Sequence, residues 1–80
     1  MNAVQCKMAR VAVGYGVRDL AKAAEVSPDT VARLERGEEL RAVTVASIRA
    51  ALESAGVIFI DGNGDGPGVR LRKLKKVSTE

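Results

Sequence analysis

The chain has 80 residues, of which 46% are apolar, with one cysteine, no histidine and a formal net charge of +3. This length predicts one small domain, and the cysteine and histidine counts leave no zinc cluster and no Cys–His or Ser–His nucleophile pair, so we expect no enzyme, no cofactor and no bound metal. No apolar run approaches the roughly 20 residues of a membrane span and the N-terminus lacks the pattern of a signal peptide, so we expect a cytoplasmic protein without a membrane segment.

Two helices are predicted on either side of a glycine break. Residues 3–13 have apolar side chains at helical spacing, and the pattern stops at Gly14-Tyr15-Gly16. The apolar positions of this helix are Val4, Met8, Val11 and Ala12. Residues 17–26 continue with one apolar face, formed by Leu20, Ala21 and Ala24. Cys6 lies in the first helix, where we expect a small buried apolar residue.

A third and a fourth helix follow. In SPDTVARLERG, Ser27 is the predicted N-cap, Pro28 occupies the first helical position and Gly37 ends the helix, with Val31 and Leu34 facing inward. Only three residues separate this helix from the second, so we expect the two to cross steeply. After a polar loop over 38–43, residues 44–55 form the fourth helix, with Thr44 as its cap and Gly56 as its stop. Its apolar stripe is Val45, Ile48, Leu52 and Ala55.

Two strands are predicted near the C-terminus. VIFID at 57–61 and VRLRKL at 69–74 are joined by the glycine-rich stretch DGNGDGPG. Asp61, Asn63, Asp65 and Gly66 match the first half of an EF-hand calcium loop, but the twelfth position is Arg72 where calcium needs a bidentate carboxylate. The flanking strands and this arginine favour a hairpin turn over a calcium site, and the absence of a following helix argues against a phosphate loop.

The segment VRDLAKAAEVSPDTVARLERG resembles the helix-turn-helix of lambda-repressor/Cro-like (Xre-type) transcriptional regulators. The resemblance covers about residues 3–55 and implies a four-helix lambda-repressor-like helix-turn-helix domain over 1–56. With the strands predicted above, the expected fold is mainly α, with a C-terminal β-hairpin over 57–74, the predicted dimerisation element, and a flexible tail over 75–80. The resemblance also implies that the second motif helix enters the major groove of double-stranded DNA. The chain departs from the family at Glu25, where glycine is usual, and at Val17, where a polar residue often contacts phosphate. Many relatives also have a fifth helix in place of the hairpin.

The resemblance assigns roles to individual residues. The implied base-edge positions are Pro28, Asp29, Thr30 and Arg33. Arg33 is the strongest of these because a guanidinium can pair with guanine O6 and N7, whereas Asp29 could accept from cytosine or only cap its helix. Ser27 mainly caps the helix, although its amide neighbours could face a phosphate. Arg36 and Arg41 suit phosphate or minor-groove contact, and Arg18 could take the phosphate contact that Val17 lacks; for each arginine the alternative is a solvated surface charge. The family also implies an ion pair between Arg10 and Glu35, whose alternative is two solvated charges.

The hairpin raises the question of a second subunit. Both faces of the first strand are apolar, with Val57 and Phe59 on one face and Ile58 and Ile60 on the other. We therefore expect these four residues to form a homodimer interface, the alternative being a monomer whose helices wrap the hairpin. The basic side chains of residues 69–77 either add phosphate contacts or protect an edge strand.

Two functions remain open at this stage. The first is a sequence-specific DNA-binding transcriptional regulator, such as a repressor or controller protein, that binds an inverted repeat as a homodimer. The alternative is a protein-interaction module, such as an antitoxin or antiactivator, because the same scaffold also binds protein partners. The modest charge and Val17 favour the protein partner, whereas the outward Arg33, Arg36 and Arg41 favour DNA.

Overall fold

The computed structural model describes residues 1–62 and 64–72, which form four α-helices and a two-stranded antiparallel hairpin. The helices are α1 (Ala3–Ala12), α2 (Val17–Ala24), α3 (Pro28–Glu35) and α4 (Ala42–Ser54). The strands are β1 (Val57–Ile60) and β2 (Gly68–Leu71), with Val57 opposite Leu71 and Ile60 opposite Gly68. The expectation of a small, mainly helical chain with a C-terminal hairpin is confirmed. Asn63 of the considered calcium loop, the predicted end of the second strand, the tail and the basic residues of 73–77 lie outside the described residues.

The helix ends follow local capping rules. Ser27 Oγ accepts from the Thr30 N–H at 3.1 Å and begins α3, as predicted. Glu25 ends α2 in the left-handed conformation, with φ 59°, at the position where the family favours glycine. The predicted start of α4 at Thr44 is wrong, because the helix begins two residues earlier with Arg41 as N-cap. Leu40 lies just before this cap and packs against the core.

The apolar stripe of α1 faces outward. Val4 and Val11 are 63% and 65% exposed, whereas the buried residues of this helix are Gln5, Cys6 and Ala9. Cys6 and Ala9 are small, so α1 can pack closely against α3 and the hairpin. Helical spacing of apolar residues therefore predicted the helix correctly but did not identify its buried face.

One hydrophobic core joins all the elements. α2 contributes its predicted face and packs against both α3 and α4. The core residues are Cys6, Ala9, Leu20, Ala21, Ala24, Val31, Leu34, Ile48, Leu52 and Val57. The predicted inward residues of α2 and α3 are confirmed, and two residues of the predicted α4 stripe are fully buried.

The hairpin is attached to the helices of its own chain. Gln5 Nε2 donates to the carbonyl oxygens of Ile60 and Gly68, both at 3.1 Å. Val57 is 1% exposed and belongs to the core, and Phe59 is partly buried beneath the Arg49 guanidinium. Val57 is therefore already buried within its own chain, and the dimer interface expected from the four residues of β1 stays a prediction. Ile58 is only half-buried and Ile60 is exposed.

Candidate functional site

The start of α3 is an exposed, polar surface. Pro28 and Asp29 are exposed in its first turn, and the hydroxyl oxygens of Ser27 and Thr30 lie 2.8 Å apart. One hydroxyl donates to the other, so either arrangement leaves one hydroxyl proton free to donate outward. The predicted cap thus leaves a hydrogen-bond donor on the surface.

A groove runs between the start of α3 and the start of α4. Its lining residues are Val26, Ser27, Thr30, Arg33, Glu39, Leu40, Arg41 and Thr44. Four of the predicted DNA-contact residues, Ser27, Thr30, Arg33 and Arg41, are therefore brought together from two helices. The N-cap of α4 makes no side-chain hydrogen bond to its first turn, so the helix start favours an anion.

The other four predicted positions lie outside the groove lining. Pro28 and Asp29 lie on the first turn of α3, and Arg36 is its C-cap residue. Arg18 is exposed in the first turn of α2.

One carboxylate joins two of the predicted DNA-contact arginines. Arg33 Nε donates to Glu38 Oε1 at 2.9 Å, and Arg36 donates to Glu38 Oε2 from Nη2 at 2.9 Å and from Nε at 3.3 Å. The hydrogen bonds from Arg33 and then Arg36 lower the pKa of Glu38, and the bond to Glu38 raises the pKa of Arg33. The carboxylate is therefore ionised near neutral pH. Glu38 was not among the predicted site residues.

The turn after α3 explains this contact. Gly37 has φ 90°, its N–H donates to Leu34 O at 2.9 Å, and the Glu38 N–H donates to Arg33 O at 3.1 Å. These two bonds form a Schellman motif, which places the residue after the glycine beside the residue five positions earlier. The glycine was recognised in the sequence as a helix stop, and its register is the signal that could have identified Glu38 as a neighbour of Arg33.

The charges around the groove are balanced. Three guanidinium groups are accompanied by three carboxylates: Arg33, Arg36 and Arg41 against Asp29, Glu38 and Glu39. This surface is therefore not a strongly basic patch, and long-range attraction of a polyanion is weak.

A buried ion pair fixes the far end of α3. Arg10 donates from Nε to Glu35 Oε2 at 2.8 Å and from Nη2 to Glu35 Oε1 at 3.0 Å, and its Nη1 donates to Tyr15 O at 3.0 Å. Cys6 Sγ donates to Glu35 Oε2 at 3.4 Å, and burial, followed by the charge of Glu35, raises the pKa of Cys6 to about 12. The pairing that the family implied is present, and it sets which face of α3 points outward.

Outside the groove, α1 presents an apolar surface. A shallow depression there is lined by Ala3, Val4, Lys7, Met8, Val11, Ala12 and Glu35. None of these residues was predicted from the sequence to bind a partner. We call the exposed apolar residues Val4, Met8 and Val11 the α1 stripe.

The basic C-terminal segment is only partly described. Arg70 is exposed on β2. Arg72 donates its backbone N–H to Gly56 O at 2.7 Å and its Nη2 to Glu53 O at 3.1 Å, so it caps the end of α4. This contact engages Arg72 within the chain and gives it a structural role.

Residues 1–62 and 64–72 contain no group of three or more metal-ligating side chains that could hold an ion. Across the same residues, no helix is long and apolar enough to cross a membrane. Comparison with protein-family models and with curated proteins gives no match to this chain.

Proposed function

We propose that the protein is a sequence-specific DNA-binding transcriptional regulator, with α3 as its recognition helix. The observation that carries this proposal is the groove between α3 and α4, which gathers Arg33, Arg41 and the hydroxyls of Ser27 and Thr30 on one exposed surface. Guanidinium groups recognise both guanine edges and phosphates, and hydroxyl donors recognise phosphate oxygens.

The arrangement of α2 and α3 supports a helix-turn-helix. Only Glu25, Val26 and Ser27 separate the two helices, and the left-handed Glu25 reverses the chain within this turn. α2 packs behind α3 through the core, so the first turn of α3 faces solvent. A helix held from behind and exposed at its N-terminal turn is the geometry with which such motifs enter the major groove.

The proposed roles divide between bases and backbone. Arg33 contacts a guanine, and Pro28, Asp29 and Thr30 face the edges of neighbouring bases in the major groove. Arg41 and the uncapped first turn of α4 contact a phosphate, since a helix N-terminus favours an anion. We place Ser27, Arg36 and Arg18 next to the flanking sugar-phosphate backbone of the DNA.

The proposal includes a homodimer on an inverted repeat. Two recognition helices about 34 Å apart would read half-sites one helical turn apart. Ile58 and Ile60 remain on the less covered side of β1 and are the residues of the predicted interface still open to a second copy. Analytical ultracentrifugation tests this part, and a single-chain mass both free and on the selected DNA would refute it.

Selection from a random duplex library tests the function. We expect enrichment of an inverted repeat, and we expect Arg33→Ala to weaken binding to that site by about 1–3 kcal/mol with relaxed preference at one base pair. Arg70→Ala is the matched control, because it removes an exposed arginine from the hairpin and leaves the groove unchanged. Equal losses for both variants, on every sequence tested, would refute base reading by Arg33.

The α1 stripe favours a second candidate function. An apolar helix face with residues at i, i+4 and i+7 suits packing against a partner protein, as in an antitoxin or antiactivator. A Met8→Lys, Val11→Lys double variant should then abolish partner capture and leave DNA selection intact. If wild-type protein selects no DNA sequence while a captured partner is lost only in this double variant, the second function replaces the first.

A further inference from the structure

The guanidinium of Arg33 is held by one edge only. Its Nε donates to Glu38 Oε1, and within residues 1–62 and 64–72 neither of its terminal amino groups makes a hydrogen bond. Arg36 differs, because both its Nε and its Nη2 bind the same carboxylate. The two arginines that flank Glu38 therefore present different edges to the surroundings.

The free edge of Arg33 is able to read a base. A guanidinium has five N–H donors, and the two terminal amino groups together pair with guanine O6 and N7. A carboxylate on Nε leaves this pair of donors unobstructed and restricts rotation of the side chain. Arg33 is also 43% exposed, so its free end can reach a ligand.

Glu38 itself has little freedom. The Schellman motif fixes its backbone next to Arg33, and the two bonds from Arg36 hold its second oxygen. A hydrophobic contact usually accompanies this motif at the two positions that Arg33 and Glu38 occupy here. In this chain an ion pair takes that place.

We propose that Glu38 is a specificity-determining positioning residue, whose carboxylate holds the Nε edge of Arg33 so that its terminal amino groups are aligned for a guanine. This inference rests on the proposed DNA-binding function. It assigns Arg36 the supporting role of holding Glu38.

The proposal predicts opposite effects on specific and non-specific binding. Glu38 restricts the rotation of a flexible side chain in advance, which is worth about 2- to 12-fold in binding where that side chain makes its contact. Its negative charge also lies near the phosphates and weakens contact with every sequence. Glu38 therefore lowers general affinity and raises discrimination at one base pair.

Three single variants separate these effects. Glu38→Ala removes both the charge and the contact, Glu38→Gln removes the charge but keeps an acceptor for Arg33 Nε, and Glu39→Ala removes one adjacent charge that makes no ion pair among the described residues. Each is titrated against three duplexes: the site selected by wild-type protein, that site with the guanine preferred through Arg33 replaced, and a random-sequence duplex.

We expect all three variants to bind the random duplex more tightly than wild type. Only Glu38→Ala should lose discrimination between the first two duplexes, by about 2- to 12-fold, and Glu38→Gln should retain most of it. In an Arg33→Ala background, Glu38→Ala should no longer change discrimination between the first two duplexes, although it still releases Arg36. Thermal unfolding of each variant provides a measure of folding that is independent of base preference.

Unchanged discrimination in Glu38→Ala, with a gain in affinity equal to that of Glu39→Ala, would show that Glu38 is only a competing charge and would overturn the proposal. If Glu38→Gln loses as much discrimination as Glu38→Ala, the proposed positioning through the hydrogen bond to Arg33 Nε is also wrong, because the effect then follows the charge of residue 38 and not its acceptor. If wild-type protein selects no DNA sequence, both the DNA-binding function and this inference are wrong. If wild-type protein selects a sequence but Glu38→Ala keeps its discrimination, only this inference is wrong.

Discussion

Replacing Arg10 by methionine would leave the Glu35 carboxylate buried without its guanidinium partner. The two side chains are only 16% and 6% exposed, and they share two hydrogen bonds at 2.8 and 3.0 Å. Removing one partner of such a pair costs about 3–5 kcal/mol, because the remaining charge has lost both water and its counter-charge. An 80-residue domain has a total free energy of unfolding of roughly 4–12 kcal/mol, so the single variant should be marginally folded.

Removing both charges should restore most of the loss. An Arg10→Met, Glu35→Met double variant replaces the pair with apolar side chains, an exchange that is often neutral. Tyr15 O would still lose the hydrogen bond from Arg10 Nη1, at about 1 kcal/mol. We therefore expect the double variant to be more stable than the Arg10→Met single variant by at least about 2 kcal/mol.

Urea unfolding followed by circular dichroism measures these differences as free energies. The matched control is Glu53→Gln, which breaks the Arg49–Glu53 pair, an i,i+4 pair with both side chains at least 40% exposed. This control should cost below about 1 kcal/mol, as exposed pairs do. An Arg10→Met cost as small as that of the control, or a double variant no more stable than the single, would refute the view that burial makes this pair a structural requirement.

Three further predictions concern stability. Gln5→Met removes the two hydrogen bonds to the Ile60 and Gly68 carbonyls, so the free energy of unfolding should fall by about 1–3 kcal/mol. Amide hydrogen exchange should become faster in the hairpin and not in the helices, and equal acceleration throughout the chain would contradict this. Glu25→Gly should gain up to about 1 kcal/mol in thermal unfolding, because Glu25 has φ 59°, whereas Glu25→Ala should show no such gain. The Cys6 thiol, with its pKa raised from 9.0 to about 12, stays protonated in the folded state. Stability should therefore be unaffected below pH 9.0 and fall above it, by at most about 1.4 kcal/mol per pH unit, as the unfolded thiol loses its proton first; an equal fall in Cys6→Ala would refute this cause.

The helix-forming part of the fold was predictable because its signals are local. The Ser27 cap and the Gly37 stop each act through bonds to residues within five positions, and both lie where the sequence indicated. The start of α4 was missed because its N-cap, Arg41, makes no side-chain cap hydrogen bond and so gives no local signal, whereas Leu40 before it packs against the core through a tertiary contact. Local signals were thus sufficient to predict the helices, but not every helix boundary.

The face of α1 and the covering of the hairpin could not be predicted in the same way. Apolar spacing selected Val4, Met8 and Val11, but Gln5 is the residue that reaches the hairpin, through carbonyls 55 and 63 positions later. A buried glutamine is acceptable here because its side-chain oxygen accepts from the Asn2 N–H and its nitrogen donates twice. No periodicity of the sequence contains that information.

In the candidate site, too, the sequence identified individual residues but not the contacts between them. Arg33 and Arg41 could be selected as exposed arginines near the start of α3 and α4, but the carboxylate of Glu38 between Arg33 and Arg36 changes what those arginines can do. A surface with equal numbers of guanidinium and carboxylate groups attracts DNA weakly at long range, although the proposed phosphate contacts of Arg41, Arg36 and Arg18 should still make the affinity fall with salt. If the protein nevertheless discriminates strongly between sequences, that discrimination must come from the direction in which its few donors point. This is the property that the contact between Glu38 and Arg33 would control.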